Sequence, residues 1–95
     1  MTNSAPVSQE ETLLIRNKFG LHARPAAEFV KLASRFQSDV FVRKQELEVN
    51  GKSIMGMMML AAECGAEITI RASGEDAKQA VEELVALVNG GFGEG

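Results

Sequence analysis

The sequence predicts one small α+β domain in which helices cover one face of a sheet and the other face meets solvent. A length of 95 residues, with 45% hydrophobic and 24% charged residues, is typical of a single soluble globular core. Strand-like alternation and helical spacing of apolar residues follow one another along the chain. Together they predict the order β-α-β-β-α-β-α.

The first strand and helix are predicted to follow a flexible N-terminal extension. Residues 1–10 are rich in Ser, Asn, Gln and Pro and have no apolar period, so the domain is expected over residues 11–90. The β-branched and apolar residues 12–16 predict a strand. Apolar residues recur at helical spacing over residues 26–36 and predict the first helix.

A hairpin and a short helix are predicted next. Apolar and polar residues alternate over residues 40–43 and 46–50, which predicts two strands joined by a turn near residues 44–45. The Met-rich residues 53–60 predict a helix of about two turns.

The last strand and helix complete the domain. Residues 67–71 alternate and predict a strand, after which Ser73 is expected to cap the final helix. Apolar residues of that helix lie on one side from Ala77 to Val88, and a glycine pair ends it. Residues 91–95 are expected to form a short C-terminal tail.

Composition excludes several classes of function. Ten Lys and Arg against thirteen Asp and Glu give a net charge of −3, which lacks the basic footprint of a nucleic-acid-binding protein. The longest apolar stretch, residues 54–62, covers about half of a membrane span, so membrane insertion is not expected. One His and one Cys cannot supply the ligands of a zinc site, and neither a metal nor a cofactor is implied.

The lone cysteine and the chain start favour a cytoplasmic protein. Cys64 has no partner for an internal disulfide, and no secretory leader precedes the domain. No histidine stands near Cys64 in the sequence, so we expect an inert thiol that is buried or half-buried.

The only histidine stands at a predicted helix start, within the run GLHARPAA of residues 20–27. Pro25 fits the first turn of a helix, so His22 is expected at or next to the N-cap. Free N–H groups and the positive end of the helix favour an anion there, and Arg24 adds a formal charge. A neutral imidazole in this field keeps a lone pair for nucleophilic attack, which predicts a phosphohistidine. The alternative is a solvated cap without chemistry.

A second candidate is the run NGKSIMG of residues 50–56. It is not a nucleotide-binding P-loop, because Glu46 stands where that motif needs glycine. Ser53 is predicted to be the N-cap of the short helix. The four methionines 55, 57, 58 and 59 cannot all face inward, so they are either partly exposed for a partner or filler on the core.

Three runs in order, GLHARPA (20–26), NGKSIMG (50–56) and GAEITI (65–70), resemble the HPr family. Its members are the histidine-containing phosphocarriers of the phosphoenolpyruvate-dependent sugar phosphotransferase system. The resemblance extends from Glu11 to about Asn89 and implies an open-faced sandwich, with a four-stranded antiparallel sheet and three helices on one face. It implies a carrier, not an enzyme, that takes a phosphoryl group from Enzyme I to an EIIA protein.

The resemblance also assigns roles at the first helix start. His22 takes the position of the phosphorylated histidine, which attacks through Nδ1, and Arg24 matches the active-site arginine. Backbone N–H groups of Ala23 and Arg24 are expected to bind the phosphate. Ala23 stands where many members have Ser or Thr, so no hydroxyl assists at that position.

Further roles follow for the second run. Ser53 matches the serine that an ATP-dependent HPr kinase/phosphorylase modifies in some bacteria, with reduced transfer through the histidine. Ala27, Ile54, Met55 and Met58 match the apolar patch on which Enzyme I and EIIA partners dock, which favours partly exposed methionines.

Two other functions remain open. One is a regulatory binding module of the same fold that acts through Ser53, although the intact run His22-Ala23-Arg24 argues against a purely regulatory member. The other is a small domain whose helix start only binds stray anions. The sequence does not distinguish a sugar branch from a nitrogen-related branch, and a monomer is the default expectation.

Overall fold

The computed structural model describes residues 8–94, and within them the predicted order of strands and helices is confirmed. The strands are β1 (Ser8–Leu14), β2 (Asp39–Lys44), β3 (Leu47–Asn50) and β4 (Glu67–Ser73). The helices are α1 (Ala23–Ala33), α2 (Ile54–Met59) and α3 (Ala77–Asn89), followed by a 3₁₀ turn at Gly91–Gly93. Within residues 8–94, no helix is long and apolar enough to cross a membrane.

The strands form one sheet in the order β1-β4-β2-β3, and every neighbouring pair is antiparallel. Val40 and Val42 of β2 are buried, whereas Phe41 and Arg43 between and beside them are more exposed. This alternation places the three helices on one face and leaves the other face toward solvent. The predicted α+β open-faced sandwich is therefore confirmed.

The core lies between the helices and the covered face of the sheet. Its largest side chains have almost no contact with solvent: Phe29 of α1, Met57 of α2, Ile68 and Ile70 of β4, and Leu84 of α3. Burial of a side chain of this size contributes about 1.5 to 3 kcal/mol. The amphipathic spacing that predicted α1 and α3 thus corresponds to the faces that these helices bury.

The first strand starts earlier than the sequence predicts. β1 begins at Ser8, so three residues assigned to the extension are part of the sheet, and Ser8 lies opposite Ser73 of β4. β1 is polar and exposed along most of its length. β1 forms because its backbone groups pair with those of β4. The side chains of β1 show no apolar pattern from which this pairing could be predicted. Residues 1–7 of the predicted extension lie outside the described residues.

The prediction that Ser73 caps the last helix is wrong. Ser73 is the final residue of β4, and the N-cap of α3 is Asp76. Gly74 intervenes with φ +149, and a Cβ placed on it would lie 2.7 Å from Cα of Ser38. The chain therefore leaves the sheet through a turn that requires glycine before the helix can start.

Asp76 ties the start of α3 to the loop between α1 and β2. Its carboxylate accepts hydrogen bonds from the N–H of Gln37 at 2.9 Å, and from the N–H and hydroxyl of Ser38 at 2.9 and 2.5 Å. These bonds favour the ionised form, and the Ser38 hydroxyl is the main reason that the pKa of Asp76 lies below its usual value.

The expected burial of Cys64 is also wrong, because the side chain is exposed. It lies in the irregular segment between α2 and β4, where its Sγ is 3.7 Å from the carbonyl oxygen of Arg16.

Beyond α3, the chain does not continue as a free tail: Phe92 is buried, with 9% of its surface exposed. The apolar ring explains why the 3₁₀ turn packs back on the domain.

Candidate functional site at the start of the first helix

The loop before α1 is anchored to the segment that follows α2. Leu21 is buried, and its N–H donates to the carbonyl oxygen of Ala62 at 2.8 Å. Gly20 has φ +68, and a Cβ there would lie 2.8 Å from Cα of Glu63. Only glycine fits this close approach. The loop that precedes the histidine is therefore held by tertiary contacts.

His22 is the N-cap of α1, as the sequence predicts. Its backbone is extended (φ −79, ψ −174), and its carbonyl oxygen accepts the first helical hydrogen bond, from Ala26 N–H at 3.0 Å. The imidazole makes no capping bond to the helix, and 42% of the side chain is exposed. The ring is thus available to solvent and to a partner.

The first turn of α1 leaves two backbone donors free. Within residues 8–94, the N–H groups of Ala23 and Arg24 have no backbone or side-chain acceptor. Pro25 has no N–H, and Ala26 N–H is used by the helix. No acidic side chain lies in this turn. The start of α1 is therefore suited to bind an anion, through two N–H donors, the positive helix end and the exposed Arg24 side chain.

A shallow cleft of about 440 Å³ surrounds the imidazole. Lys18, Phe19 and Arg24 line it together with the C-terminal turn. The Phe19 ring is 73% exposed and lies edge-on to His22, with centroids 6.3 Å apart. Lys18 Nζ is 5.4 Å from the centroid of that ring. Cationic groups thus flank an imidazole that stands beside an exposed aromatic ring.

The C-terminal turn brings a carboxylate to the histidine. Glu94 Oε2 lies 3.2 Å from His22 Nε2, and Glu94 Oε1 accepts a hydrogen bond from Asn17 Nδ2 at 3.0 Å. Glu94 lies in the segment that was expected to be a C-terminal tail, and Asn17 was expected to lie in a loop without a functional role. The one available signal is Phe92, an apolar ring between glycines, which indicates that the tail returns to the core.

Ser53 is the N-cap of α2, as predicted. Its Oγ accepts a hydrogen bond from Gly56 N–H at 3.0 Å, and its carbonyl oxygen accepts one from Met57 N–H at 2.9 Å. The side chain is half-buried. The hydroxyl therefore satisfies a helical donor and keeps a solvent-facing side.

The methionines of α2 are divided between core and surface. Met57 is fully buried, whereas Met55 and Met58 are 73% and 44% exposed. Ile54 is also exposed, at 45%, and α2 packs against α1, where Ala27 is half-buried. The choice that the sequence left open is thereby resolved: Met57 fills the core, whereas Met55, Met58 and Met59 are exposed.

Comparison with known proteins agrees with this fold. The family described as PTS HPr component phosphorylation site matches residues 9–90. The phosphocarrier protein HPr of Neisseria meningitidis is 49% identical over 86 residues, which cover 90% of this chain and 97% of that protein. The HPr-like protein Crh of Bacillus subtilis is 52% identical over 79 residues, covering 83% and 93%.

A solved structure gives the same result in three dimensions. The crystal structure of HPr-C-His from Thermoanaerobacter tengcongensis superposes with a TM-score of 0.88 at 47% identity, and the match covers 92% of this chain and 98% of that one. Sequence and fold therefore agree over nearly the whole length. The chain belongs to the HPr family and is a phosphocarrier of the phosphotransferase system.

Proposed function

We propose that His22 is the residue that accepts the phosphoryl group from phosphorylated Enzyme I and passes it to an EIIA protein. The main support is the open start of α1: an N-cap imidazole, two free N–H groups and Arg24 surround one position. A phosphoryl group on the imidazole has three oxygens that share its negative charge, and N–H donors at a positive helix end are suited to bind them.

The transfer is a nucleophilic displacement at phosphorus. The Nδ1 lone pair of His22 attacks the phosphorus, and the bond from phosphorus to the donor's nitrogen breaks, so the donor keeps that electron pair. The N–H groups of Ala23 and Arg24 bind the phosphoryl oxygens. In the second step, a nucleophile of EIIA attacks the phosphorus and the Nδ1–P bond breaks, so that Nδ1 regains its lone pair. The phosphoryl group is held covalently on His22 between the two steps, so the protein acts as a stoichiometric carrier.

The apolar surface around Ile54, Met55, Met58 and Ala27 is our proposed docking site for Enzyme I and EIIA. Flexible thioether side chains adapt to different partners, and a small exposed patch suits brief encounters.

We propose a monomer that exchanges partners in the cytoplasm, since self-association through this patch would block the docking of Enzyme I and EIIA. Light scattering in solution tests the monomer.

The decisive experiment labels the protein with phosphoenolpyruvate, Mg²⁺ and Enzyme I from a related bacterium. We expect a label that acid removes and base does not, present in the wild type and absent in His22→Ala. The matched control Ser53→Ala should take up the label normally. An unlabelled wild type, with an Enzyme I that labels its own HPr, would contradict the proposal and favour the regulatory module.

We further propose that Ser53 is a regulatory phosphorylation site for an HPr kinase/phosphorylase where the organism has one. A phosphate on Ser53 would add a charge of about −1.5 to −2 next to Ile54 and Met55. The charge favours the start of α2, so the fold is retained while the docking patch is altered.

Binding of Enzyme I and EIIA to Ser53→Asp and Ser53→Ala tests this switch. We expect weaker binding by Ser53→Asp and wild-type binding by Ser53→Ala. Incubation with the kinase and ATP should give an acid-stable label that Ser53→Ala lacks. Equal affinities of both variants for every partner would exclude a serine switch.

A further inference from the structure

We propose that Glu94 is a positioning residue for His22: its carboxylate accepts a hydrogen bond from Nε2–H and thereby leaves the lone pair on Nδ1 for phosphoryl transfer. The inference rests on the proposed role of His22. It starts from one contact, the 3.2 Å separation between His22 Nε2 and Glu94 Oε2. Glu94 is the one residue within residues 8–94 that offers this imidazole a polar contact.

The contact matters because the two nitrogens of a neutral imidazole are not equivalent. One has the proton and the other has the lone pair, and the hydrogen bond that one nitrogen makes decides the arrangement. A carboxylate only accepts, so Glu94 selects the tautomer with the proton on Nε2. Nδ1 is then the nucleophile, on a ring at the position where Ala23 and Arg24 offer free N–H groups.

The carboxylate is held in place by a buried amide. Asn17 is 1% exposed, and its Nδ2 donates to Glu94 Oε1 at 3.0 Å and to the carbonyl oxygen of Gly20 at 2.7 Å. Gly20 belongs to the loop that precedes His22. One amide therefore fixes the position of the carboxylate relative to the loop, and the contact is not a chance meeting of two surface side chains.

The C-terminal turn supplies a second anchor. Phe92 is buried although its φ of 56 is unfavourable for a residue with a side chain. Ring burial offsets this strain and holds the turn on the domain. The Glu94 side chain is only 21% exposed as a result. Its contact with His22 is thus partly shielded from water, which strengthens the electrostatic attraction.

The same carboxylate assists when phosphorus leaves Nδ1. During transfer the proton stays on Nε2, and the ring gains positive charge when Nδ1 binds phosphorus. Lys18 and Arg24, the other charged residues of the cleft, are cations and oppose that charge. Glu94 is the one carboxylate that lines this cleft within residues 8–94. It stabilises the protonated ring, which is the better leaving group when EIIA attacks.

Nitrogen NMR of the unphosphorylated protein tests the positioning directly and needs no Enzyme I. At a pH where the ring is neutral, we expect the Nε2–H tautomer to predominate in the wild type. Glu94→Ala should lower the ratio of Nε2–H to Nδ1–H by about fivefold, the scale of a partly exposed charged pair. Glu94→Gln should retain part of the bias, because its amide oxygen still accepts.

Glu82→Ala is the matched control, since Glu82 is an exposed carboxylate on α3 outside the cleft, and it should leave the ratio unchanged. An unchanged ratio in Glu94→Ala would overturn the inference. Thermal unfolding of each variant separates this result from a loss of fold.

Phosphoryl transfer rates distinguish this inference from the proposed function. We expect wild type and Glu82→Ala to be labelled on His22 at equal rates and Glu94→Ala more slowly, by at most about fivefold, because it loses both the tautomer bias and the carboxylate that stabilises the positively charged ring. Label on His22 at equal rates in all three proteins would overturn the role of Glu94 and leave that of His22 intact. Absence of label from the wild type would overturn both.

Discussion

The starts of α1 and α2 differ in whether the N-cap side chain accepts a hydrogen bond from a backbone N–H of the helix. At α2, the Ser53 hydroxyl accepts from Gly56 N–H, and the helix satisfies its own donor. At α1, His22 occupies the same N-cap position but makes no such bond, and the N–H groups of Ala23 and Arg24 stay free. The two starts therefore differ at the N-cap and at the third helical residue: a hydroxyl binds the N–H of Gly56 at α2, whereas an exposed imidazole precedes Pro25, which has no N–H, at α1.

The comparison shows that a functional helix start forgoes some stability. A Ser cap contributes about 1 kcal/mol relative to Ala. An imidazole at the same position gives no such bond, so α1 depends more on the burial of Ala26 and Phe29. In the proposed function, the free donors of α1 bind the phosphoryl group. The difference between hydroxyl and imidazole therefore separates the cap of α2 from the proposed carrier site.

The largest expected effect comes from His22→Ser, which removes the nucleophile and offers a hydroxyl that can accept from Arg24 N–H, because Pro25 at the third helical position has no N–H. We expect complete loss of the acid-labile label and a gain in the free energy of unfolding of about 0.5 to 1 kcal/mol. Urea unfolding and labelling measure the two effects. His22→Ala should lose the label without the gain in stability. A destabilised His22→Ser protein would contradict the view that α1 lacks a cap.

Gly20→Ala should deform the loop in front of the open start. The positive φ and the approach to Glu63 both oppose a Cβ, so we expect a loss of about 2 to 3 kcal/mol in the free energy of unfolding. Gly65→Ala is the control, because Gly65 has φ +90 but no atom within 4 Å of an added Cβ. Its expected cost is about 1 kcal/mol. Equal unfolding midpoints in urea would show that the approach to Glu63 is unimportant.

Ser53→Ala should open the start of α2 without creating a carrier site there. We expect a loss of about 1 kcal/mol in the free energy of unfolding, because Gly56 N–H loses its acceptor. Transfer through His22 should not change. Ser53→Thr keeps a hydroxyl and should be closer to wild type. If urea unfolding gave equal stability for Ser53→Ala and wild type, the capping bond would be of no consequence.

At a third helix start, that of α3, we expect the smallest change in stability, and this change depends on pH. Hydrogen bonds from Ser38 and Gln37 hold the pKa of Asp76 below its ordinary value of 3.8. Asp76 therefore stabilises the fold above pH 3.8, and this contribution is lost as pH falls through the lower folded-state value. Urea midpoints measured against pH should show Asp76→Asn less stable than wild type at neutral pH and nearly equal in acid. A difference that stays constant into acid would contradict this assignment.

Local residue patterns were sufficient to predict the open start of α1 and the closed start of α2. Gly20 before His22 and Pro25 after it mark a helix start, because glycine permits the turn and proline needs no N–H partner in the first turn. Ser53 before an apolar turn marks a cap. Each of these features depends on neighbours within a few residues.

The sequence predictions were wrong for residues whose position in the fold depends on contacts with distant segments. Ser73 is a plausible cap by spacing, but pairing with β1 and β2 draws it into the sheet. Cys64 has no histidine nearby in the sequence and was expected to be an inert thiol, buried or half-buried, yet the irregular segment between α2 and β4 leaves it exposed. Ser8 joins β1 through backbone bonds to β4, which its polar side chain does not indicate.

The sequence by itself determined the order of the elements, the position of His22 at a helix start and the position of Ser53 at another, because helical periodicity and capping act over one or two turns. Only the tertiary structure decided that Glu94 meets His22, since that contact requires α3 to pack on the sheet, Phe92 to be buried and Asn17 to hold the carboxylate. Such a contact depends on the positions of three separate segments, and no local pattern records them.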